Sequence, residues 1–443
     1  MSGSGTGGAY HAGALRALHE AGVKIDVISG RGIGVAGALF AAIDAAAKTW
    51  EDGGLWRCKP AVLWYRWRPA LRWATTLVML AVAVLLVPLL ILATGLVVYP
   101  LSFLVQMVNV DRGQRLATVY AAMIAGAFGP PALPTIIPRL VTLLLACAFI
   151  VLAVSAARSK GVPRTRVGHR DRGRWWARLG GSPWTNEPGL THVQNLLWQP
   201  FRGPTTAKRP PPADLSRRYT ELLLENLGQP GFRELVVTTL DLETRTDLIF
   251  AALTEQRRSA FFHRPGAGGD LIDLAGVGRN QALDALAGAL SVPVLTESHA
   301  VAFSPESYWK GETHRTCDRP AAAGRLLHEL AMAGVEQVVI VSADADRSAP
   351  HRLGKTVGTL ASRLAEHLSA AEASAVRDGV SAYESRFRGI FLIQPSHNPI
   401  GAFDFDGTYD ERSDRYQSLG ELVDRGYEDA YRQFIEPLVG GGE

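Results

Sequence analysis

The stretch Ile25–Ala42, with the sequence IDVISGRGIGVAGALFAA, decides the fold. It begins with apolar, β-branched residues, which predict a short buried strand, and its last part predicts a helix over about Val35–Thr49. Between them stand Gly30, Gly32 and Gly34. We therefore predict a strand, a tight glycine turn and a helix that follow one another directly.

Another glycine cluster opens the chain in the sequence GSGTGG, residues 3–8. It leads into residues 9–22, where apolar side chains recur at helical spacing before a glycine ends the run. Such a loop directs backbone N–H groups toward an anion, which is either a dinucleotide pyrophosphate or an oxyanion that develops during catalysis. The dinucleotide interpretation is disfavoured, because it needs a strand before the loop and only two residues precede Gly3.

Helices and strands alternate in the second half of the chain. Residues 233–253 predict a strand and its continuation, residues 280–295 predict a helix, and residues 321–343 predict a helix followed by a strong strand. This alternation predicts an α/β domain in which helices cover both faces of a sheet, a three-layer α/β/α arrangement. We expect residues 1–56 and 215–443 to supply its two parts.

Two long uncharged runs separate those parts. Residues 73–110 are 38 consecutive residues without a charge, and a second run covers residues 140–157. A helix needs about 20 apolar residues to cross a bilayer, so we predict spans near 74–99 and 134–157. They form an inserted transmembrane α-helical hairpin within residues 57–158. The alternative, a pair of buried core helices, is disfavoured because soluble domains rarely contain uncharged runs this long.

Basic residues are concentrated beside these runs. Residues 57–72 carry five basic side chains and no acidic one, and residues 158–178 carry eight basic side chains against one acidic. By the positive-inside rule, both flanks lie on the cytoplasmic side of the cytoplasmic (inner) membrane. The protein is then multi-pass, with its globular domain on the cytosolic side and residues 159–214 as a basic juxtamembrane linker.

The overall charge follows from this distribution. The formal charge of +4 and the pI near 9.0 reflect the two basic clusters beside the hairpin, whereas the rest of the globular part is acidic. We therefore expect membrane lipids and not nucleic acid as partners. The three cysteines are too few for a disulfide framework and suit a reducing cytosol.

The order of glycine loop, helix, strand, glycine turn and second helix resembles the patatin-like phospholipase family. In that family a glycine-rich oxyanion loop precedes a Gly-x-Ser-x-Gly nucleophile elbow, which opens the second helix. The resemblance covers residues 2–50 and resumes over roughly 215–435. It implies a lipid acyl-ester hydrolase fold with a Ser–Asp dyad and no cofactor. The oxyanion-loop residues that it implies are Gly3, Gly5, Gly7 and Gly8.

The chain departs from the family pattern at both catalytic positions. The elbow is Gly30-Arg31-Gly32-Ile33-Gly34, so glycine stands where the family has its serine, and glycine cannot form an acyl-enzyme. The family's aspartate belongs to an Asp-Gly-Gly or Asp-Gly-Ala turn after SYW, where this chain has Lys310-Gly311-Glu312. The catalytic residues are therefore unassigned. The candidate substitutes are Glu312, His314 and Asp318.

Two functions follow from these departures. The first is an integral membrane protein of patatin-like type, linked to membrane lipid metabolism, which binds lipid and lacks the usual Ser-Asp dyad. The alternative is an active, phospholipase-type lipid acyl-ester hydrolase that uses a non-standard catalytic group. The first is favoured because acyl transfer by this route requires the nucleophile. Whether the protein is an enzyme is therefore left open by the sequence.

Some remaining motifs have a functional and a structural interpretation. FDFDGT at Phe403–Thr408 is similar to the Asp-x-Asp-Gly-Thr signature of phosphatases, but no buried strand precedes it, so a surface turn is favoured. The acidic residues between Asp404 and Asp414 do not match the spacing of a calcium loop. A solvated acidic loop is favoured there.

Three further side chains are ambiguous. The group around His314 is either a replacement acid–base or metal site or a hydrogen-bonded turn, and we favour the turn, so no metal is expected. His11 faces either the pocket or a polar surface. Arg31 either binds a lipid phosphate or faces solvent.

Overall fold

The computed structural model describes residues 1–58, 64–130, 132–158, 181–203, 207–266, 268–345, 360–398, 400–410 and 415–440. The chain divides into two compact units. The first contains the described residues of 1–66 and 184–443, and the second those of 67–158 and 181–183. Most of the second basic cluster, within residues 159–180, lies outside the described residues.

The secondary structure is mixed. The helices are α1 (Gly7–Glu20), α2 (Gly34–Ala42), α3 (Pro69–Val108), α4 (Val110–Phe128), α5 (Ile137–Arg158), α6 (Glu187–Arg202), α7 (Pro212–Asn226), α8 (Glu255–Phe262), α9 (Ala282–Ala289), α10 (Ala323–Met332), α11 (Leu360–Tyr383), α12 (Leu419–Ala430) and α13 (Glu436–Gly440). The strands are β1 (Val27–Arg31), β2 (Arg66–Trp67), β3 (Trp184–Thr185), β4 (Glu234–Asp241), β5 (Thr246–Ala252), β6 (Leu271–Asp273), β7 (His299–Ala302), β8 (Thr313–Cys317), β9 (Gln337–Val341), β10 (Gly389–Ile393), β11 (Thr408–Asp410) and β12 (Arg415–Gln417).

The stretch Ile25–Ala42 forms the predicted strand, glycine turn and helix. β1 ends at Arg31, and α2 begins three residues later at Gly34. α2 is shorter than predicted, because Asp44 adopts a left-handed φ of 55° and ends it. A short 3-10 turn over Ala46–Thr49 follows.

The main sheet is organised around β4. Its strand order is β6-β5-β4-β8-β7, and β1 also pairs with β4. β1 pairs in parallel with Glu234–Thr238, whereas β8 pairs antiparallel with Leu240 and Asp241. Since β5 occupies the opposite edge of β4, β1 and β8 lie one after the other along the same edge. Their carboxyl ends therefore point toward each other.

The first residues of the chain extend this sheet. The backbone N–H of Arg31 donates to the carbonyl oxygen of Met1 over 3.2 Å. On the other side, the N–H of Ser2 donates to the carbonyl oxygen of Val341 over 2.9 Å. This segment therefore lies between β1 and β9, and β9 pairs in parallel with β10.

Side chains from the two faces of β4 enter different cores. Leu235 and Val237 belong to a core that includes residues of α1, α2, α7 and α9. Val236 belongs to a second core with Leu327 of α10 and Val376 of α11. Helices thus cover both faces of the sheet, which contains parallel and antiparallel pairs, and the α/β prediction is confirmed.

The second unit consists of α3, α4 and α5. α3 has 40 residues, which corresponds to about 60 Å at 1.5 Å per residue. Its buried residues recur at every seventh position and form a seam toward the other two helices. This seam consists of Ala74, Ala81, Pro88, Gly95 and Ser102.

α4 runs antiparallel to the second half of α3. Ser102 Oγ donates to the Gly113 carbonyl over 2.8 Å, and Tyr120 Oη donates to the Leu92 carbonyl over 2.9 Å. The stretches Pro69–Val108 and Val110–Arg158 are each long and apolar enough to cross a membrane. This agrees in number with the two predicted spans.

Part of the predicted linker is regular structure in the first unit. Glu187–Arg202 forms α6 and Pro212–Asn226 forms α7. Val193 and Leu197, one helical turn apart, are buried, as is Tyr219. Residues 187–202 of the expected linker thus form a helix, because the Arg- and Pro-rich composition of this segment concealed an apolar stripe at helical spacing.

Candidate functional site

Gly32 stands at the tip of the elbow, between β1 and α2. It adopts a left-handed φ of 53°, which glycine tolerates far better than residues with a side chain. A Cβ atom at this position would lie 2.5 Å from the carbonyl oxygen of Gly3. The elbow therefore has neither a nucleophile nor the space for one.

The carboxylate beside the elbow belongs to Asp318. A Cβ atom on Gly32 would lie 3.1 Å from Asp318 Oδ2 and 3.3 Å from Oδ1. Asp318 directly follows β8, and it reaches the elbow because β1 and β8 end toward each other on the edge of β4. Of the three candidate substitutes, it is the one that contacts the elbow.

Arg31 pairs with this carboxylate. Its side chain is fully buried, and its Nη2 donates to Asp318 Oδ2 over 2.6 Å while Nη1 lies 2.8 Å from Glu372 Oε1. Nη2 also donates to Ser4 Oγ over 3.2 Å, which connects the ion pair to the glycine loop. Both sequence-based interpretations of Arg31, as a phosphate ligand or a solvent-facing side chain, were wrong, because two buried acids hold it inside.

Glu372 of α11 and Asp344 after β9 extend the cluster. Glu372 is fully buried and accepts a hydrogen bond from Ser2 Oγ over 2.7 Å. Burial lowers the pKa of Arg31, but Asp318 and Glu372 outweigh that effect and raise it, so the guanidinium stays charged. The Arg31 guanidinium thus pairs with two buried acids, Asp318 and Glu372.

Two carboxyl groups of this cluster, those of Asp318 and Asp344, are weaker acids than usual. Burial raises the pKa of Asp318, and the nearby Arg31 only partly counteracts the rise. Burial, together with the charge of Glu372, raises the pKa of Asp344 to about 7. Asp344 therefore exchanges its proton near neutral pH.

The glycine loop is closed by its own hydrogen bonds. The N–H of Gly7 donates to the Ser4 carbonyl over 3.0 Å, and the N–H of Thr6 donates to the Ala402 carbonyl over 2.8 Å. Thr6 Oγ1 also donates to the Gly401 carbonyl over 2.9 Å. These two N–H groups are thus engaged within the protein and do not point at an open oxyanion site.

The FDFDGT stretch lies next to this loop. Phe405 is buried, and its ring centroid is 6.5 Å from that of Trp64. Asp404 and Asp406 are exposed, as expected for a surface turn. Asp414 lies outside the described residues. Among the residues that the structure describes, no group of three or more His, Cys, Asp or Glu side chains is placed to hold a metal.

His11 faces the interior and not a pocket or a polar surface. Its Nε2–H donates to the Ser2 carbonyl over 2.9 Å. Burial, and secondarily the N-terminal ammonium, lowers the pKa of His11 to about 3, so the imidazole is neutral. His11 therefore holds the backbone at Ser2, next to the glycine loop, in place.

The predicted acid turn lies away from the elbow. Lys310, Gly311 and Glu312 connect β7 to β8, and Lys310 and Gly311 both have positive φ values, 46° and 83°. Six residue steps along β8, about 20 Å of extended chain, separate Glu312 from Asp318. The turn at the position of the family's aspartate therefore does not reach the elbow, because the whole length of β8 lies between them.

Glu312 and His314 form a separate cluster with Asp241. His314 Nδ1 lies 2.6 Å from Asp241 Oδ2, and its Nε2 lies 3.3 Å from Glu312 Oε2. The imidazole is buried, with its ring 4.5 Å from that of Trp309. The favoured interpretation, a hydrogen-bonded turn, describes this arrangement, except that Asp318 is not part of it.

Two residues of the site, Glu372 and Asp344, were missed by reasoning from the sequence. Glu372 is the one charged residue in the run from Ser369 to Val376, and an isolated acid in an Ala-rich helical run is the signal that would have found it. Comparison of the chain with models of known protein families and with curated proteins found no match. The patatin-like resemblance therefore rests on the motifs alone.

Proposed function

We propose that this protein is a patatin-like integral membrane protein that binds membrane lipid without hydrolysing it. The observation that carries the proposal is the buried ion pair between Arg31 and Asp318 beside the bare Gly32. A Ser–Asp hydrolase needs a hydroxyl at the elbow and a carboxylate that is available to its proton. Here the hydroxyl is absent and the carboxylate is bound to a guanidinium.

The arrangement at the glycine loop supports the same proposal. Stabilisation of an oxyanion requires N–H donors that point to a common position in an open site. The N–H groups of Thr6 and Gly7 instead donate to protein carbonyl groups, and the Gly3 carbonyl oxygen occupies the space above Gly32. A carbonyl oxygen at that position would repel an oxyanion.

The second unit supports a role at a membrane. Its two long apolar stretches are long enough to cross a bilayer, and basic residues lie immediately before the first of them. We infer a multi-pass protein of the cytoplasmic membrane whose globular unit lies on the cytosolic side. A protein embedded in a membrane is in constant contact with membrane lipids. We therefore propose membrane lipids as its ligands and a link to membrane lipid metabolism as its role.

An active acyl-ester hydrolase with a non-standard catalytic group is the second candidate. The contact of 2.6 Å between His314 and Asp241 favours it, because an acid that orients an imidazole is one half of a catalytic triad. Against it, the other imidazole nitrogen contacts Glu312 and not a hydroxyl. We therefore rank it below the lipid-binding function.

A fluorophosphonate probe separates the two candidates. Purified full-length protein in detergent should remain unlabelled, and lipid extracted from it should be detectable by mass spectrometry. The Gly32→Ser variant, which carries a hydroxyl at the elbow, is treated with the probe in the same way for comparison. Labelling of the wild-type protein at a mapped serine, together with release of fatty acid from a phospholipid panel, would instead establish the hydrolase.

A further inference from the structure

Cys58 and His192 form a thiol–imidazole pair away from the elbow. Cys58 Sγ lies 3.2 Å from His192 Nε2, although 134 residues separate the two in the chain. Both side chains are partly buried, so the pair is neither sealed in the core nor fully solvated. His192 is positioned by α6, whose buried stripe at Val193 and Leu197 anchors the helix in the core of the first unit.

The geometry suits transfer of the thiol proton to the imidazole. The thiolate is the nucleophilic form of cysteine, and a neutral imidazole at hydrogen-bond distance is a suitable base. Burial lowers the pKa of His192, and a hydrogen bond with the Leu55 carbonyl acts in the opposite direction. The lowered pKa keeps the ring neutral at pH 7, and that is the form that accepts a proton.

The surroundings of Cys58 differ from those of the other two cysteines. Burial raises the pKa of Cys317 to about 12, so its thiol is inert at neutral pH. Cys147 lies within α5, in an apolar stretch. Cys58 instead lies between Arg57 and Lys59 in the sequence, eleven residues before α3 begins at Pro69. Cysteines in such juxtamembrane positions are accessible to acyl donors.

We propose that Cys58 is an acylation site that accepts a fatty acyl group from an acyl thioester, with His192 as the base. The Cys58 proton passes to His192 Nε2, and Sγ attacks the carbonyl carbon of the donor. A new carbon–sulfur bond forms, the donor's carbon–sulfur bond breaks, and the departing thiolate recovers the proton from the imidazolium. The reaction exchanges one thioester for another and requires no oxidant or reductant. It does not depend on the elbow.

The acyl chain would provide a second attachment to the membrane. Cys58 lies close in sequence to α3, the first of the two apolar stretches, so a chain on its sulfur can enter the same bilayer. This attachment would hold the juxtamembrane segment of the first unit against the lipid surface.

The first experiment measures thiol reactivity. Full-length protein in detergent is alkylated with iodoacetamide at pH 5.5–10, and the rate at each cysteine is followed by peptide mass spectrometry. Cys58 should react at pH 7 about tenfold faster in the wild type than in His192→Gln, which keeps the side-chain polarity but removes the base. Cys317 reports folding in both proteins, because a misfolded variant would expose it and accelerate its alkylation.

The second experiment measures acyl transfer. The same proteins are incubated with a palmitoyl thioester of a small carrier, and the intact mass is recorded before and after treatment with hydroxylamine. We expect a hydroxylamine-sensitive palmitoyl adduct on Cys58 that is absent in Cys58→Ser and at least fivefold slower to form in His192→Gln. Absence of the adduct from Cys58, or equal rates in the wild type and in a His192→Gln variant with unchanged Cys317 alkylation, would overturn the proposal.

Discussion

Arg31 and Asp318 are 287 residues apart in the chain and form a buried ion pair, with 2.6 Å between Nη2 and Oδ2 and at most 6% of either side chain exposed. They meet because β1 and β8 occupy consecutive parts of one edge of β4, with their carboxyl ends pointing toward each other. The glycine turn at Gly32 thus lies beside a buried ion pair.

Replacement of Arg31 should destabilise the first unit strongly. Arg31→Met preserves much of the side-chain volume but leaves Asp318 and Glu372 buried without a cation. Removal of one partner of a buried pair costs about 3–5 kcal/mol. The deficit should be larger at pH 8 than at pH 5, because burial raises the pKa of Asp318 and protonation of this unpaired acid relieves it. Thermal unfolding of the two proteins at both pH values measures the effect.

The matched control for this substitution is Arg388→Met. Arg388 pairs with Glu336 at 2.8 Å, but their side chains are 72% and 63% exposed. An exposed pair contributes little, so the expected change is within about 0.5 kcal/mol. Similar losses for the two variants would show that burial does not determine the importance of the Arg31 contacts.

Introduction of a serine at the elbow should not confer hydrolysis. Gly32→Ser places a Cβ atom 2.5 Å from the Gly3 carbonyl oxygen and leaves Asp318 bound to Arg31. We expect no esterase activity from this variant and none from a second variant that also carries Lys310→Asp, because Asp318 and not Lys310 lies beside the elbow. Hydrolysis of a p-nitrophenyl ester checks this outcome, and measurable turnover by either variant would contradict it.

Gly32→Ser should also lower the stability of the protein by more than the left-handed backbone conformation at Gly32 explains. Gly22 has a comparable φ of 67° and nothing within 4 Å of its would-be Cβ atom. Gly22→Ser should therefore cost only about 1 kcal/mol for the left-handed conformation. Gly32→Ser carries that cost and a backbone clash in addition, so its thermal midpoint should be clearly lower. Equal midpoints would show that the Gly3 segment moves aside freely.

The sequence was sufficient to predict local structure but not the ion pair. Strand, glycine turn and helix at the elbow follow from residues that are adjacent in the chain, as do α10 and β9. The contact of Arg31 with Asp318 depends on which parts of β4 pair with β1 and β8, a tertiary property. Motif spacing alone placed the acid at the opposite end of β8, at Lys310–Glu312.

The carboxyl cluster should make stability depend on pH near neutrality. The pKa of Asp344 is raised from an ordinary 3.8 to about 7, so between these values the folded protein binds a proton that the unfolded chain does not. Its contribution to stability is complete at low pH and is lost as the pH rises through 7. Asp344→Asn should therefore lose less stability than the wild type between pH 5 and pH 8.

Thermal midpoints at pH 5, 6, 7 and 8 test this prediction. Asp52→Asn is the control, because the Asp52 side chain is 98% exposed and its removal should leave the pH dependence unchanged. Parallel curves for the wild type and Asp344→Asn would show that Asp344 does not hold a proton near neutral pH.

The seam of α3 should tolerate no large side chain at Gly95. A Cβ atom there would lie 2.2 Å from Tyr120 Oη, which donates to the Leu92 carbonyl. Gly95→Leu should separate α4 from α3 and lower the thermal midpoint in detergent. Gly126→Leu on α4 is the matched control, because nothing lies within 4 Å of its would-be Cβ atom. Equal effects of the two substitutions would mean that the seam is not packed in the folded protein.

The proposed topology predicts which single cysteines a membrane-impermeant reagent can label. In a variant with Cys58, Cys147 and Cys317 replaced, Asp111→Cys at the start of α4 should react with an impermeant maleimide in intact cells. Glu20→Cys at the end of α1 should react only after lysis, because the proposed topology has the first unit on the cytosolic side. Both positions are exposed, so accessibility within the protein does not limit the reaction. Labelling of Glu20→Cys in intact cells would place the first unit outside, and labelling of neither position before lysis would mean that the hairpin does not cross the membrane.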